Sequence, residues 1–413
     1  MEVIDKINYK LKDTFRFRVV LFLCSILLIS VREPALLLHP RLWAEEGCIF
    51  YQYALHQSIY TIFTTVHVGY LTLFNSIVSS LQAKVFPIEN AAIVSTYMGF
   101  LVQLIPVYII IFTSPKFWDT PLKKIICSFI IIVVLAPELS LNTTNSHFIF
   151  GLVTFLIMIN NTTALSRLQK YFFRLLLLIG GLTGPASILF IPTFLVKAYY
   201  QKNKEKYIQA AILSICGLIQ AFIILYAILY NNTYHRLAEH NYARTISHFF
   251  TDNFSMIPHA SVSYLHGITF YAGFLFGVLM FVYYVYLLIA NKKDSDYVLS
   301  LISLFIVGTC STLGSLHMAG SPRYAYIPSC IFLIVITSEF LKRISLVNKT
   351  HYIAGLVLFI CLSANTVYYH YGMRNVYADS YPKWKDEVAK WRADNTYKPR
   401  VHPGLDAGQC VSP

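Results

Sequence analysis

The apolar stretch VVLFLCSILLIS (Val19–Ser30) decides the fold class of this chain. It follows an N-terminal tail with five Lys and Arg residues, and further long apolar runs recur along the sequence. Of the 413 residues, 56% are hydrophobic and only 13% are charged, whereas a soluble globular protein carries about 25% charged residues. The sequence therefore predicts an all-α polytopic membrane protein.

About nine apolar segments are predicted as transmembrane helices. They are residues 19–36, 91–113, 125–138, 147–160, 207–230, 265–290, 297–315, 324–341 and 351–369. With the N-terminal tail in the cytoplasm, 20 of the 33 Lys and Arg residues fall on that side. They lie in residues 1–18, 114–124, 161–206, 291–296 and 342–350. This bias follows the positive-inside rule, so the other loops are predicted to face outwards.

Two further apolar stretches do not fit simple spans. Residues 68–86 are predicted as a helix at the outer interface, because a full span there would move the basic loop 114–124 outside. Residues 173–197 have basic residues at both ends and a central GGLTGP sequence at 180–185. Because Gly and Pro break helices, this stretch is predicted to be a re-entrant hairpin or two short spans. It would line a cavity; a kinked structural helix is the alternative.

The predicted organisation is a transmembrane unit, residues 1–369, followed by an outer C-terminal tail, residues 370–413. Polar chemistry is concentrated on the outer side, in the first loop 37–90, in residues 138–147 and in residues 231–264. The net charge of +13 would suggest nucleic acid in a soluble protein. Here it is assigned to membrane topology, and no nucleic-acid partner is expected.

The first outer loop begins with RLWAEEGCIF (Arg41–Phe50), which places two carboxylates side by side at Glu45 and Glu46. The whole chain has only 20 acidic residues. A carboxylate held at the outer interface can act as a general base. The alternative is that the acids only cap a membrane helix, as interfacial charged residues often do.

The segment Trp43–Gly47 (WAEEG) resembles the Trp-Ala-Glu-Asp/Glu-Gly signature of bacterial and phage-encoded O-antigen glucosyltransferases of the serotype-converting type. The tail sequence WKDEVAKWRAD (384–394) is similar to the tail of the same group. The layout also resembles it, with nine spans, a large first outer loop, a re-entrant segment and an outer tail. These enzymes are class C glycosyltransferases, which use polyprenyl-phosphate sugars.

The resemblance implies transfer of a glucosyl or related hexosyl residue from undecaprenyl phosphate to lipid-linked O-antigen. The reaction would take place on the periplasmic face of a bacterial inner membrane, with Glu45 or Glu46 as the base. One direct displacement would invert the anomeric carbon. The second acid is Glu46 where Asp is commoner in the family, which leaves open which of the two carboxylates faces the substrate.

A departing lipid phosphate requires cations at the outer interface, and Arg suits bidentate phosphate contact. The candidates are Arg41, Arg236, Arg244 and Arg323. Snorkelling is the alternative for each and is favoured for Arg32, which lies near a helix end. Acceptor or sugar binding is assigned to Trp43, Tyr70, Glu138, Asn142, Asn145, His147, Trp384, Trp391 and Arg392. The alternatives are a solvated loop and, for the tryptophans, anchoring of the tail.

No metal and no cofactor are expected, since a monophosphate leaving group needs no metal and the outer loops lack an Asp-x-Asp sequence. Cys48 and Cys410 fall outside the apolar segments, on the predicted outer side. A periplasm is oxidising, so a disulfide between them would pin the tail over the first loop. Two unrelated thiols are the alternative.

Three other classes of protein remain open. A lipid-linked sugar flippase or transporter would show repeat symmetry and charges at mid-membrane, and neither is evident in this sequence. An O-antigen polymerase would use arginines in two large outer loops and give the acid pair no essential role. A scaffold that contacts membrane lipids but has no catalytic activity would not need the set of outer acids, arginines and tryptophans.

Overall fold

The computed structural model describes residues 11–67, 69–230, 242–255, 268–314, 322–342, 355–366 and 383–401. Regular secondary structure in these ranges is helical, as predicted for an all-α chain. The α-helices are α1 Phe15–Arg32, α2 Pro34–Leu38, α3 Gln52–His56, α4 Ile59–Thr64, α5 Leu73–Lys84, α6 Ala91–Phe112, α7 Pro121–Val133, α8 Ser146–Ile159, α9 Arg167–Gly181, α10 Ile191–Gln201, α11 Lys204–Tyr230, α12 Tyr242–Phe254, α13 Ile268–Ala290, α14 Ser295–Leu313, α15 Pro322–Lys342, α16 Gly355–Thr366 and α17 Trp384–Ala393. A π-helix, Glu46–Tyr51, precedes α3.

Five of the described helices, α6, α11, α13, α14 and α15, are long and apolar enough to cross a membrane. This supports the predicted membrane class. Helices also lie at the other four predicted spans, but α7 and α8 have only 13 and 14 residues. Each therefore rises about 20 Å, whereas a bilayer core is about 30 Å thick. Helix length thus establishes five candidate spans, and the count of nine stays a prediction.

The loop between α7 and α8 is buried among the helices, because both helices are short. Val134, Leu139, Asn142 and Thr143 in this loop are each 3% exposed or less. The sequence had indicated a polar cluster at 138–147, with a solvated loop as the alternative. Most of this loop is covered by protein, which contradicts the solvated alternative, and its polar groups must be satisfied there. Its position on the outer side stays a prediction.

Two polar side chains, one from α1 and one from α6, form hydrogen bonds with the backbone of this buried loop. Arg32 at the end of α1 donates to the Leu135 carbonyl at 2.5 Å, and Gln103 in α6 donates to the Leu139 carbonyl at 3.2 Å. With Tyr326 and neighbouring apolar residues they line a cavity of about 10 Å³, about the volume that one water requires. Arg32 therefore binds backbone inside the bundle, where the sequence had favoured a snorkelling side chain.

Residues 167–201 form a helical hairpin made of α9 and α10. Arg174 in α9 pairs with Glu205 at the start of α11 at 2.5 Å, and α10 packs against the same helix. The break between the two helices contains Gly184, whose φ of +96° is favoured by glycine. The break falls inside the stretch predicted to be interrupted. The position of the hairpin in the membrane stays a prediction.

Helix α12 lies within residues 231–264, which the sequence had indicated only as a polar stretch of the outer side. It packs against α13, α14 and α15. Phe254 at its end contacts the rings of Phe281 and Phe332, with centroids 5.0 and 6.2 Å apart. Asp252 on the same helix is 1% exposed. The described part of this stretch therefore belongs to the helix bundle, and its position on the outer side stays a prediction.

The predicted helix within residues 68–86 is α5, and its buried face is polar. Asn75, Ser76 and Gln82 on this face are each 4% exposed or less. The helix packs against α6 and the π-helix. Its location at a membrane interface stays a prediction, but its polar face explains why it is held by hydrogen bonds as well as by apolar contacts.

Gly99 in α6 lies directly against the buried loop, and a Cβ atom there would come within 2.6 Å of the Asn142 backbone nitrogen. Gly99→Ala is expected to lower the free energy of unfolding by about 1–3 kcal/mol, because backbone cannot move aside as a flexible side chain can. Thermal unfolding in detergent measures the loss. Leu101→Ala, on an exposed position of the same helix, is the control, and equal destabilisation by both variants would contradict this packing.

Candidate functional site

The acid pair follows a strained turn. Ala44 has a φ of 35°, in the left-handed region that non-glycine residues rarely adopt. The π-helix Glu46–Tyr51 begins immediately after Glu45. Leu141, in the buried loop, also has a positive φ of 50°. Backbone strain and π-helical turns are both concentrated at functional sites, so this region is the candidate site.

Glu46 is 2% exposed and is surrounded by hydrogen-bond donors. Its Oε2 accepts the Trp43 backbone N–H at 2.8 Å, and its Oε1 accepts the Thr143 N–H and, at 2.7 Å, the Thr143 hydroxyl. Burial raises the pKa of Glu46, and hydrogen bonds from Ser95, Thr143 and Trp43 oppose that rise. Glu46 thus ties the first outer loop to the buried loop and to α6.

Glu45 is half-buried and lies within the electrostatic reach of Arg323, at the start of α15. Arg323 also forms an ion pair with Glu138, with Nε and Oε2 3.6 Å apart. Its guanidinium lies 5.3 Å from the centre of the Tyr324 ring. All four side chains are half-buried. This group of half-buried side chains is here called the Glu45–Arg323 recess, and in it two carboxylates act on one cation.

Tyr70 and His147 extend this recess towards the hairpin. The ring of His147 lies 6.2 Å from Tyr70 and 4.1 Å from Phe148, measured between centroids, and Phe148 contacts Tyr324 at 5.4 Å. A Cβ at Gly184 would lie 3.1 Å from His147 and 3.2 Å from Tyr70. The glycine in the hairpin break therefore allows the two rings to approach the backbone closely.

Asn142 and Asn145 bind the backbone of Glu138, one of the residues of the recess. They are 2% and 3% exposed, and the side-chain amide of each donates to the Glu138 carbonyl at 2.8 Å. These amides hold the backbone that carries the Glu138 carboxylate. Both residues were predicted to bind sugar hydroxyls; in this structure their amide donors are already engaged within the loop.

Among the predicted phosphate-binding arginines, the structure brings Arg323 to the acid pair. Arg41 is 7% exposed, and its guanidinium lies 4.6 Å from the ring of Trp43, itself 8% exposed. Arg41 and Trp43 therefore form a packed pair beside Glu46. Arg236 lies outside the described residues. Arg244 is in α12, but its side chain is outside the described part of the chain.

The C-terminal tail docks on the first outer loop through α17. Trp384 is 1% exposed, and its Nε1 donates to the Ile88 carbonyl at 2.7 Å. Arg392 pairs with Glu89 at 3.1 Å and lies 5.0 Å from the ring of Trp391. Trp384, Trp391 and Arg392 were predicted to bind sugars. The structure places Trp384 and Arg392 in the contact between tail and loop, with Trp391 packed beside it.

Cys48 is disulfide-bonded, and Cys410, the partner predicted from the sequence, lies outside the described residues. The remaining cysteines of the described chain are free: Cys24, Cys127, Cys216, Cys310, Cys330 and Cys361. Val401, at the described end of the tail, packs on Gly47 so closely that a Cβ there has no room. The tail thus contacts the residue between Glu46 and Cys48.

Two residues that hold Glu46 were missed by sequence reasoning. Thr143 lies in the polar stretch 138–147, which was singled out, but other residues in it were chosen. Ser95 is a single hydroxyl in the apolar helix α6, and small hydroxyls are common in such helices. The signal available for Thr143 was the short apolar segment before its polar loop. A polar loop that follows so short a segment is expected to be covered by protein.

Comparison with protein-family models and with curated proteins finds no match for this chain. Within the described residues, no group of three or more His, Cys, Asp and Glu side chains is arranged as metal ligands. The family expected from the WAEEG segment, the tail and the layout therefore stays a prediction.

Glu46→Gln is expected to lower the free energy of unfolding by about 1–3 kcal/mol, because an amide NH₂ cannot accept every hydrogen bond that the carboxylate accepts. The Trp43 or Thr143 N–H would be left buried without an acceptor. Thermal unfolding in detergent measures this, with Glu45→Gln as the matched control on the half-buried neighbour. A smaller loss for Glu46→Gln than for Glu45→Gln would contradict the described hydrogen bonding.

Glu387 is 1% exposed and accepts hydrogen bonds from several residues of the tail. Burial alone would raise its pKa, but hydrogen bonds from Tyr397, Arg400 and Lys390 outweigh that effect and lower the pKa to about 2. The Arg400 backbone N–H and the Lys390 ammonium both lie 2.9 Å from the carboxylate. The tail therefore folds on itself around one charged group.

Because the pKa of Glu387 is lower in the docked tail than the ordinary value of about 4.3, its stabilisation is complete above that value and is lost as the pH falls towards about 2. Pepsin cleavage within residues 383–401 is therefore expected to accelerate between pH 4 and pH 2 by more than the pepsin rate on a free peptide of this sequence. The variant Glu387→Gln should lose this extra pH dependence. An unchanged dependence would show that Glu387 does not fasten the tail.

Proposed function

We propose that this protein is a polyprenyl-phosphate-dependent glycosyltransferase of class C type. It transfers a glucosyl or related hexosyl residue from undecaprenyl phosphate to lipid-linked O-antigen, on the periplasmic face of a bacterial inner membrane. The resemblance of the WAEEG segment and the tail supports the family and the substrates. The observation that carries the chemistry is a half-buried carboxylate, Glu45, within the electrostatic reach of a half-buried cation, Arg323, which is itself paired with Glu138.

Glu45 is assigned as the general base. An acceptor must reach the base, and Glu45 is half-buried at the recess whereas Glu46 is 2% exposed with both oxygens engaged. Glu45 takes the proton of an acceptor hydroxyl as the hydroxyl oxygen attacks the anomeric carbon of the donor. The bond between that carbon and the phosphate oxygen breaks, and the electron pair leaves with the lipid phosphate. The product is inverted at the anomeric carbon.

Arg323 is assigned to the leaving phosphate. A guanidinium can bind two phosphate oxygens at once and keeps its charge throughout the reaction. Glu138 orients the guanidinium from one side, and Asn142 and Asn145 fix the backbone of Glu138. No metal is required, since the developing negative charge on a monophosphate is met by this cation. Arg236 and Arg244 remain further candidates for the donor.

Tyr70 and His147 are assigned to the sugar side of the recess. An aromatic ring offers an apolar face to a pyranose, and a histidine nitrogen can bond a hydroxyl. Both rings lie next to the hairpin break. The hairpin would then form one wall of the acceptor or donor site, the role expected of a broken segment that lines a cavity.

Glu45→Gln is expected to reduce transfer at least 100-fold, since a positioned general base contributes about 10² to 10⁴. The assay uses purified protein in lipid nanodiscs, radiolabelled undecaprenyl-phosphate glucose and lipid-linked O-antigen, with product separated by chromatography. Asp386→Asn is the matched control, because Asp386 is an exposed carboxylate in the tail, and it should retain full activity.

The results of this assay distinguish glycosyl transfer from the activities of a polymerase and a flippase. Loss of transfer in Glu45→Gln with unchanged thermal stability supports the proposal, and full activity of this variant refutes Glu45 as the base. Chain lengthening of the acceptor without added donor would favour an O-antigen polymerase. Movement of labelled lipid across the membrane without transfer would favour a flippase.

A further inference from the structure

Gln220 is a polar side chain in the apolar helix α11, and it is fully buried at 0% exposure. An amide inside a membrane helix is unfavourable unless its donors and acceptors are paired. Gln220 has no part in the proposed transfer step. Its partners therefore decide what it does.

The amide of Gln220 binds the backbone of two segments that are distant in sequence. Its Oε1 accepts the Leu71 N–H at 3.0 Å, and its Nε2 donates to the Leu71 carbonyl at 3.1 Å. The same Nε2 lies 3.4 Å from the Gly181 carbonyl at the end of α9. Both backbone groups of Leu71 are thus paired as a neighbouring β-strand would pair them. One side chain holds the first outer loop and the hairpin together.

The hairpin break continues this connection into α5. The Leu73 N–H donates to the Leu182 carbonyl at 2.9 Å, and the Phe74 N–H donates to the Thr183 hydroxyl at 3.0 Å. The first N–H groups of a helix have no acceptor within the helix itself. The hairpin break therefore caps α5 and fixes where that helix begins.

Helix α5 then reaches the acid pair through Asn75. The Asn75 amide, 2% exposed, donates to the Thr143 carbonyl at 3.0 Å. Thr143 in turn donates its N–H and its hydroxyl to the Glu46 carboxylate. Because these groups are shielded from water, loss of one hydrogen bond cannot be replaced easily by solvent.

We infer that Gln220 is a positioning residue that sets the register between the first outer loop and the hairpin, and thereby holds Glu46 and the adjacent Glu45 in place. It acts through the Leu71 backbone, the cap of α5, Asn75 and Thr143. Its kinetic consequence rests on the proposed glycosyl transfer, whereas its structural consequence does not. Gln220 itself does not touch the reacting atoms in this mechanism.

The structural test is amide hydrogen exchange measured by mass spectrometry on the protein in nanodiscs. Gln220→Leu removes both hydrogen bonds to Leu71 while keeping the volume, so peptides covering 69–76 and 42–50 are expected to exchange at least several-fold faster. Leu218→Ala, an exposed position on the same helix, should leave both peptides unchanged. If Gln220→Leu does not fold, Gln220→Asn, one methylene shorter, replaces it. Unchanged exchange in 42–50 would overturn the inference.

The kinetic test separates positioning from general damage. In Gln220→Leu, kcat is expected to fall about 10-fold or more while KM for the lipid-linked donor stays within twofold, because a small displacement of a catalytic group affects the chemical step. Combined with Asn75→Ala, the loss should be no larger than that of the more severe single variant, since both act on one path. If the fold losses in kcat of the two single variants multiply in the double variant, the two residues do not act on one path and the inference is overturned. Absence of transfer by the unmodified protein would refute the proposed function, and hydrogen exchange would still decide the role of Gln220.

Discussion

A buried carboxylate needs hydrogen-bond donors, and this requirement at Glu46 organises the end of the helix bundle that carries the acid pair. Its donors come from the backbone of Trp43, from both donors of Thr143 and from Ser95, which lie on three different segments. These segments can meet only if the loop after α7 descends into the bundle. The shortness of α7 and α8, the positive φ of Leu141 and the close approach at Gly99 all make that meeting possible.

The need for donors at Glu46 also explains why the two adjacent glutamates differ in burial. A helical or π-helical turn points neighbouring side chains in different directions, so one carboxylate can be buried while the other faces the recess. Burial makes Glu46 rigid, and that rigidity limits the positions open to Glu45. An enzyme gains more from a base held in one position than from a mobile one, because orientation contributes a large part of rate enhancement.

Sequence patterns predicted the all-helical class, the positions of the main helices and the break near Gly184, since these depend on local hydrophobicity and on glycine and proline. They also singled out Glu45, Glu46, Glu138 and Arg323, because charges are rare in such a chain. They did not predict that α12 enters the bundle, because its polar residues resemble those of a solvated loop. Nor did they divide the roles of the two acids, which depend on contacts with residues about 100 positions away.

Two other parts of the chain contact the first outer loop: the C-terminal tail, and the hairpin together with α11. The tail contacts Gly47 through Val401 and Ile88 through Trp384. The hairpin binds the start of α5, and Gln220 of α11 binds the Leu71 backbone. A surface loop held at only one end would move on the nanosecond to microsecond timescale. The proposed transfer requires a base that stays aligned with the acceptor hydroxyl, and contacts at two places along the loop restrict the motion that would misalign it.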